Sequence, residues 1–485
     1  MDNFGQRIRS ILSSSRDSLR HALHKSGARQ RESTLPTPVL RLAQEPATAE
    51  NPARGSTTEP ASPSPHPITN TLLSRRSIAY ASCGVVLLLG ASAIFFPGCS
   101  QTPIHTIVPP GTPLVRVCLL EKRVRVDLSA TQSPTIQVGN SAPTAIELGG
   151  STVPVALTAS GWKIGETPVG AGELRINPAS EGSVSIEGHA YRGRYRLVPR
   201  PGGKFDVIND VDVDGYLMGV VAKEMFPDWH EEAYRAQAIV ARTYAIYVTR
   251  TGAADASYDL FADTRSQVYG GIAGETAKAR AAVEATRGVV VAYGPPGEEK
   301  IFKAYFSSCC GGITQSSADA FGDPLEQPLT AQNVGSLCSA SKHFTWPAVT
   351  IPNAEITRRM RLWGAANNAP EKTIGDVVHV DVLSTNPFGR PASFAITDSR
   401  GLQYRLASED FRLAVNTDAS GGPRLLSSFC KPVNDKGAVR FTDGHGFGHG
   451  VGMCQWCAQA QATSGMPHEQ IVLKAFPKAV LVHAY

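Results

Sequence analysis

The stretch VVAKEMFPDWHEEAYRAQAIVARTYAI at residues 220–246 decides how the centre of the chain folds. Neither Gly nor Pro occurs between residues 231 and 251 and Ala recurs there, which predicts a helix from Glu231 to about Arg250. Asp228 and Glu231 have the spacing of a helix-start pair. Glu224 comes just before this start, at the end of an apolar run, where its carboxyl group would be partly desolvated. Because desolvation raises the pKa of an acid toward the range that a general acid needs, Glu224 is the candidate catalytic residue, and an exposed loop glutamate is the alternative.

This stretch and three later ones resemble the motifs of one protein family. The residues that carry the resemblance are Glu224-Met225, Pro227, Glu232-Ala233, Ala236-Gln237-Ala238 and Ala241-Arg242-Thr243-Tyr244; then Tyr258-Asp259 and Gln267-Val268-Tyr269-Gly270-Gly271; then Ala304-Tyr305-Phe306-Ser307-Ser308, Gly311-Gly312 and Thr314; and finally GFGHGVGM at residues 446–453, Gln455-Trp456 and Ala458-Gln459. Together they resemble the stage II sporulation protein D family (SpoIID/LytB). The resemblance spans roughly residues 115–485.

The resemblance implies a lytic transglycosylase that cleaves the β-1,4 bond between N-acetylmuramic acid and N-acetylglucosamine in peptidoglycan glycan strands. Glu224 would protonate the leaving oxygen and then deprotonate the muramyl C6 hydroxyl, which closes on C1 to give a 1,6-anhydro end. Ordinary hydrolysis needs a second carboxylate, and Asp228, Glu231, Asp259 and Asp263 are its candidates. LytB-type relatives imply an alternative, a non-catalytic glycan-binding enhancer of a cell-wall amidase. A structural role in a wall-remodelling complex is a third possibility.

Seven further residues of these motifs are candidate substrate contacts: Arg242, Gln267, Tyr269, Tyr305, Ser307, His449 and Gln455. Their amide, hydroxyl and aromatic groups suit sugars, and a guanidinium suits a carboxylate such as the lactyl group. A structural ion pair is the alternative for Arg242. Five glycines within residues 444–452 indicate tight turns or a close backbone approach. Trp456 is a candidate for either a core residue or a sugar platform.

The cysteines leave the question of a metal open. Cys310 and Cys338 resemble a pair found in some relatives, which implies a disulfide between them. His445, His449, Cys454 and Cys457 form an H-x₃-H-x₄-C-x₂-C pattern whose residue types suit tetrahedral zinc. We expect no cofactor, with zinc at these four residues as the alternative to a Cys454–Cys457 disulfide or free thiols.

The net positive charge belongs to the N-terminal region. Residues 1–77 hold 11 Lys+Arg and 6 Asp+Glu, whereas the remainder holds 36 of each, so charge gives no support to nucleic-acid binding by the rest of the chain. We predict a largely disordered basic tail and Pro/Ser-rich linker at 1–77, a transmembrane or signal-anchor segment at 78–97, a linker at 98–112 and the peptidoglycan-acting domain at 113–485.

The location follows from the uncharged run of nineteen residues at 78–96, which is long enough to cross a bilayer. Arg75 and Arg76 precede it, so the positive-inside rule predicts a cytoplasmic N-terminus and a C-terminal domain in the periplasm or cell-wall space. A lipoprotein cleaved before Cys99 and export through a twin-arginine signal are the alternatives. The expected partners are therefore the membrane, peptidoglycan glycan strands and a cell-wall amidase or other wall-remodelling protein.

The expected fold class is α+β. The chain between residues 114 and 211 predicts a β-rich portion, in which Tyr195 and Leu197 alternate with Arg194 and Arg196. A mixed helical catalytic portion follows, with a second helix at 275–286 and strands at 288–293 and 300–306. Residues 376–405 return to strands. We expect a cleft between the β-rich and the mixed portions.

Overall fold

The computed structural model describes residues 105–106, 111–148, 150–419 and 421–485. The tail and the membrane segment predicted at 1–77 and 78–97 lie outside the described residues. Within the described ranges, no helix combines the length and the apolar character needed to span a membrane.

Helices and strands alternate unevenly along the described chain. Its α-helices are α1 (Val213–Glu224), α2 (Glu231–Thr251), α3 (Ala277–Ala285), α4 (Ser317–Phe321), α5 (Asn353–Ala366), α6 (Ser408–Asn416), α7 (Gln455–Thr463) and α8 (His468–Ala475). The first thirteen strands are β1 (His105–Thr106), β2 (Leu114–Arg123), β3 (Arg125–Ala130), β4 (Thr135–Val138), β5 (Thr144–Ala145), β6 (Val153–Thr158), β7 (Gly161–Ile164), β8 (Thr167–Gly170), β9 (Leu174–Asn177), β10 (Val184–Ile186), β11 (His189–Ala190), β12 (Arg194–Arg200) and β13 (Lys204–Asp212). The later strands are β14 (Leu260–Phe261), β15 (Val289–Tyr293), β16 (Lys300–Ile301), β17 (Phe306–Ser307), β18 (Thr345–Trp346), β19 (Val349–Pro352), β20 (Val377–Thr385), β21 (Pro391–Asp398), β22 (Gln403–Ala407), β23 (Lys431–Asp435), β24 (Ala438–Thr442), β25 (Gly444–His445), β26 (Met453–Cys454) and β27 (Val480–His483).

Two sheets form the β-rich portion. One has the strand order β14-β2-β13-β12-β9-β4-β5 and the other β11-β10-β3-β6-β7-β8. Their apolar faces share a core, in which Trp162 packs edge-on against Phe205 at 4.9 Å between ring centroids. On β12, Tyr195 and Leu197 are fully buried, while Arg196 pairs with Asp210 at 2.9 Å on the opposite face. The predicted alternation is confirmed.

Helices α1 and α2 supply much of a second core. Strand β13 passes directly into α1, which packs on α2 and α3. Helix α2 also packs on α7, α8 and β15, and these elements share one apolar core. Strand β15 lies in a sheet with the order β1-β27-β15-β16, which brings the end of the chain back to the centre. A third core lies between α5, α6 and strands of the β20-β21-β22 and β19-β24-β23 sheets.

The predicted α+β class is confirmed, as are the main helices and the strands at 289–293, 377–385 and 391–398. The strand predicted at 300–306 is wrong, because only Lys300–Ile301 and Phe306–Ser307 pair with other strands. The cleft stays a prediction.

The predicted start of the long helix at Glu231 is confirmed, but the predicted capping residue is wrong. Helix α2 begins at Glu231, but His230 rather than Asp228 caps it, with Nδ1 accepting from the Glu232 N–H at 3.2 Å. Asp228 lies instead in a turn closed by the bond from the Trp229 N–H to the Phe226 carbonyl, and it is exposed.

Arg390, next to β21, joins the third core to the motifs predicted to carry function. Its fully buried guanidinium donates to the carbonyl oxygens of Cys310 at 3.0 Å, Ile313 at 2.7 Å and His449 at 3.1 Å. A Cβ on Gly450 would lie 2.3 Å from this guanidinium, so glycine is required there.

Replacing Arg390 with Met should therefore destabilise the protein by at least about 2 kcal/mol, because three buried carbonyls would lose a donor. The exposed ion pair of Arg358 with Glu355 offers a matched control, and Arg358→Met should cost less than about 1 kcal/mol. Chemical denaturation of the two variants checks this. Equal losses in both would contradict the role given to Arg390.

Candidate functional site

The candidate acid is the last residue of helix α1. The Asp212 carboxylate accepts from the Gly215 N–H at 2.8 Å and so caps the start of the helix. The apolar run that ends at Glu224 is thus a helix of its own. The helix ends because Met225 is extended and Pro227 follows it. Glu224 therefore projects from the carboxyl end of a buried helix.

The loop at residues 267–271 packs on this helix through a glycine. A Cβ on Gly219 would lie 2.7 Å from the Tyr269 ring, so only glycine lets the ring approach. The Gly270 N–H also donates to the Gly219 carbonyl at 3.0 Å. This docking brings the Val268 N–H to Oε1 of Glu224, with an N···O distance of 3.1 Å. The loop thereby supplies a donor to one carboxyl oxygen.

Helix α7 reaches Glu224 from near the end of the sequence. Gln455, its first residue, donates from Nε2 to the Glu224 carbonyl at 3.1 Å and lies 3.4 Å from Oε1 of Gln237 on α2. The predicted site residue Gln455 thus contacts Glu224 directly. The predicted residue Gln267 is the neighbour in sequence of Val268, which contacts the Glu224 carboxyl group. Gln237 is a neighbour that was not among the predicted site residues.

Burial raises the pKa of Glu224, and the hydrogen bonds of Val268 and Gln455 partly offset that rise. The side chain nevertheless retains some solvent exposure. The negative end of the α1 dipole also disfavours a charge there. An acid with a raised pKa and access to solvent is suited to proton transfer.

Three polar atoms in this neighbourhood are buried without a hydrogen-bond partner in the described structure. They are Nε2 of Gln237, Oε1 of Gln267 and the hydroxyl of Tyr216. Burial is the main cause of the raised pKa of the Tyr216 hydroxyl. The nearby Glu224 carboxylate also contributes to this rise. A buried polar group without a partner costs about 1–3 kcal/mol, which favours a water molecule or ligand at this place.

A second group of predicted residues lies where two motifs pair. Strands β17 and β26 run parallel, and the glycine-rich segment continues along residues 305–310. Oγ of Ser307 accepts from the Gly450 N–H at 3.1 Å, and the Tyr305 hydroxyl donates to Asp323 at 3.0 Å. The His449 ring lies 5.7 Å from that of Tyr305. Tyr305, Ser307 and His449 are therefore brought together.

His449 is held in its neutral form. Burial lowers its pKa to about 4, and Nδ1 accepts from the Val451 N–H at 3.0 Å, which leaves Nε2 as a donor. The ring also hydrogen-bonds the Phe306 backbone, and in its neutral form it is a poor acid at neutral pH.

Tyr244 and Lys303 connect the two groups, and residue types alone did not single them out. The Tyr244 hydroxyl interacts with Ser266, next to Gln267, and its ring lies 6.3 Å from that of Tyr305. Nζ of Lys303 lies 4.9 Å from the centre of the Tyr305 ring. Burial lowers the pKa of Lys303, with Asp323 acting in the opposite direction. The membership of Tyr244 in the A-R-T-Y motif was the available signal.

Two predicted substrate contacts have structural partners instead. Arg242 is fully buried and pairs with Asp214 at 3.0 Å, while it also donates to the Val283 and Val289 carbonyls. This is the structural ion pair that the sequence analysis gave as the alternative to a substrate contact. Tyr269 is buried and donates to Asn209 at 3.1 Å.

Three of the four candidates for a second carboxylate are engaged in ion pairs. Asp259 bonds Arg116 at 2.9 Å, Asp263 bonds Arg265 at 2.7 Å, and Glu231 lies 3.5 Å from Arg235. The fourth, Asp228, is exposed.

An aromatic cluster borders the acid. Phe226, two residues after Glu224, is 51% exposed, and its ring lies 5.1 Å from Trp229 and 5.9 Å from Trp456. Trp456 is half-buried, with its ring 4.9 Å from that of Trp229. Part of this cluster is core and part is open to a ligand.

The structure arranges the cysteines differently from the predicted pairings. Sγ of Cys310 and Sγ of Cys338 lie 3.6 Å apart as free thiols, well beyond the bond length of about 2.05 Å in a disulfide. Cys454 and Cys457 gather with these two rather than with His445 and His449. The Ser427 hydroxyl donates to the backbone carbonyl of His445, whose ring lies 4.9 Å from Phe429.

Known proteins resemble this chain over the region just described. Residues 201–293 match the family described as SpoIID, stage II sporulation protein. An uncharacterized protein of Brachyspira hyodysenteriae is 30% identical over 324 residues, which are 66% of this chain and 79% of that protein. The amidase enhancer of Bacillus subtilis is 25% identical over 387 residues, 73% of this chain and 53% of the relative. Stage II sporulation protein D of Bacillus amyloliquefaciens is 25% identical over 279 residues, 55% and 72% of the two chains.

The raised pKa of Glu224 predicts a measurable effect on stability. An acid whose pKa is higher in the folded chain stabilises the fold below its unfolded pKa, and this contribution is lost as pH rises through the folded pKa. Gln cannot ionise and loses nothing. The Tm of Glu224→Gln should therefore match that of the wild type near pH 4 and exceed it increasingly toward pH 8, in thermal melts across this range.

Glu232 is the control of opposite sign. Burial raises its pKa, but hydrogen bonds with His468 outweigh burial and lower the pKa overall. Its stabilisation is present above the unfolded pKa and is lost on acidification, so Glu232→Gln should melt below the wild type at neutral pH, with the gap closing toward acid. If the Tm of both variants, measured relative to the wild type, changed in the same direction with pH, the explanation given for Glu224 would be wrong.

Proposed function

Because the chain belongs to the stage II sporulation protein D (SpoIID/LytB) family, we propose that it is a lytic transglycosylase acting on peptidoglycan glycan strands. One observation carries the proposal. Glu224 is a partly desolvated acid, with a raised pKa, held by Val268 and Gln455 beside unpartnered polar groups. This is the environment that a residue acting first as acid and then as base requires.

The reaction needs one proton carrier. Glu224 gives its proton to the glycosidic oxygen as the C1–O4 bond breaks, and the muramyl C6 hydroxyl attacks C1. The resulting carboxylate takes the C6 hydroxyl proton, which restores the acid and leaves a 1,6-anhydro end. The ion pairs of Asp259, Asp263 and Glu231 favour this single-acid route over hydrolysis, for which a second carboxylate must be available.

Sugar rings would lie against aromatic and polar groups on both sides of the acid. Phe226 and Trp456 offer an apolar platform next to Glu224, of the kind on which the apolar faces of sugar rings pack. Lys303 offers a donor beside Tyr305, suited to acetamido and lactyl oxygens.

The membrane location is a further part of the proposal. We infer from the uncharged run at 78–96 that residues 78–97 tether the chain, with residues 113–485 in the periplasm or cell-wall space. A tether of this kind would keep the enzyme next to its polymeric substrate.

The direct test incubates the full-length protein with intact and peptide-stripped peptidoglycan and analyses the muropeptides by mass spectrometry. We expect 1,6-anhydromuramyl ends, and a loss of at least about 100-fold in Glu224→Gln. Glu231→Gln is the matched control, since this exposed glutamate lies 3.5 Å from Arg235 on the helix surface and should leave activity unchanged. Anhydro ends that persist in Glu224→Gln would refute the assignment, and ordinary reducing ends would identify a hydrolase.

The aromatic platform makes its own prediction. Phe226→Ala should raise KM several-fold with a smaller change in kcat, because ring packing binds the ground state and transition state alike. Phe388, which is 43% exposed in the third portion of the chain, provides the control substitution Phe388→Ala. Steady-state kinetics on soluble glycan fragments give the two constants. A fall in kcat with unchanged KM would contradict the platform role.

The second candidate function comes from the Bacillus subtilis relative named amidase enhancer. In this case the site would bind glycan without cleaving it and would increase the rate of a cell-wall amidase. Wild-type protein that yields no anhydro ends but accelerates peptide release by an added amidase would favour this function, and Glu224→Gln would then retain the effect.

A further inference from the structure

Four buried cysteine side chains meet behind the candidate site. The ligand atoms of Cys310, Cys338, Cys454 and Cys457 all lie within 4.8 Å of one another, with separations of 3.6 Å between Cys310 and Cys338 and 3.9 Å between Cys310 and Cys457. None of them is exposed by more than 7%. Cys309 also contacts Cys338 and Cys454, but it does not belong to the set whose ligand atoms all lie within 4.8 Å of one another.

The separations fit a single tetrahedral metal ion. Four sulfurs at about 2.3 Å from a zinc ion lie about 3.8 Å from each other, close to the two observed values. A disulfide would instead bring two sulfurs to about 2.05 Å. We propose that Cys310, Cys338, Cys454 and Cys457 bind one Zn²⁺ ion as a closed structural site.

The surroundings supply what such a site requires. The Cys310 N–H points at Sγ of Cys454 with an N···S distance of 3.3 Å, a bond that stabilises a metal-bound thiolate. Zn²⁺ with four thiolates carries a net charge of −2, and Arg390, fully buried, donates to the Cys310 carbonyl. All the acceptors recorded for this guanidinium in the described structure are carbonyls, and its Nε has none. A metal–thiolate centre would add negative charge close to this buried cation, whose direct acceptors are all neutral carbonyls.

The ligands tie together three separate parts of the chain. Cys310 follows β17, Cys338 belongs to a loop 28 residues further on, and Cys454 and Cys457 bracket the start of α7. Gln455, between the last two ligands, donates to the Glu224 carbonyl. The ion would thus fix the residue that holds the candidate acid, while four protein ligands leave no open position for chemistry.

Metal analysis of the full-length protein, purified without chelator, tests the proposal independently of activity. We expect elemental mass spectrometry to give about one zinc per chain for the wild type. The zinc content per chain should fall at least about fivefold in Cys454→Ser and in Cys457→Ser. Cys118 and Cys430 are buried cysteines outside the group, and they provide the controls Cys118→Ala and Cys430→Ala, which should keep the metal. Wild-type levels of zinc in both ligand variants would overturn the site.

X-ray absorption of the wild type keeps the proposal testable if the ligand variants fail to fold. Four sulfur neighbours at about 2.3 Å from zinc would support it, whereas a mixture of nitrogen and sulfur would indicate the His445/His449 set and overturn it. Alkylation of the protein without reductant shows which of the four cysteines are free thiols and which form disulfides. Two disulfides among the four cysteines, or iron in place of zinc, would equally overturn the assignment. An active enzyme without zinc would refute this site while leaving the proposed function intact.

Discussion

A carboxyl group at the carboxyl end of a buried helix is the constraint on which the rest of the site depends. The dipole of α1 and the loss of solvent both disfavour a charge on Glu224, and its pKa is accordingly raised. Such an acid stays close to its target only if the chain around it is held firmly. Val268 and Gln455 provide this support, from parts of the sequence 44 and 231 residues away.

Glycines make the distant contacts possible. Gly219 lets the Tyr269 ring approach α1 and so delivers the Val268 N–H to the acid. At the other end of the chain, a Cβ on Gly452 would lie 2.1 Å from the Tyr305 carbonyl, so glycine also permits the pairing of β17 with β26. That pairing positions Cys454 and the start of α7, and with them Gln455. The glycine-rich motifs therefore place donors rather than contribute side chains.

Local patterns in the sequence predicted local structure well. Helix α2, the alternation on β12 and the strands at 289–293 and 377–385 follow from periodicity within a few residues. The helical state of residues 213–223 was missed because a continuous apolar run has no period that separates a buried helix from a strand. Glu224, Gln267 and Gln455 are adjacent as expected, but the burial of Arg242 against Asp214 and the gathering of four cysteines depend on tertiary contacts. Spacing alone paired Cys454 and Cys457 with nearby histidines, whereas the fold supplies Cys310 and Cys338 from over a hundred residues away.

Burial and hydrogen bonding act in opposite directions on the pKa of Glu224, so the residues that hydrogen-bond it affect its acidity. One pKa unit corresponds to about 1.4 kcal/mol, and a hydrogen bond to a charged group contributes about 1.5–3 kcal/mol. Losing the Val268 donor would therefore raise the pKa of Glu224 further, because the charged carboxylate would lose a hydrogen bond. A residue that must release a proton and then recover one works best with a pKa near the ambient pH, so either excess or lack of donors would slow one half of the cycle. The Val268 N–H, 3.1 Å from Oε1, favours the charged carboxylate while burial opposes it, and the Gln455 bond to the backbone carbonyl fixes the end of α1 on which the carboxyl group is held.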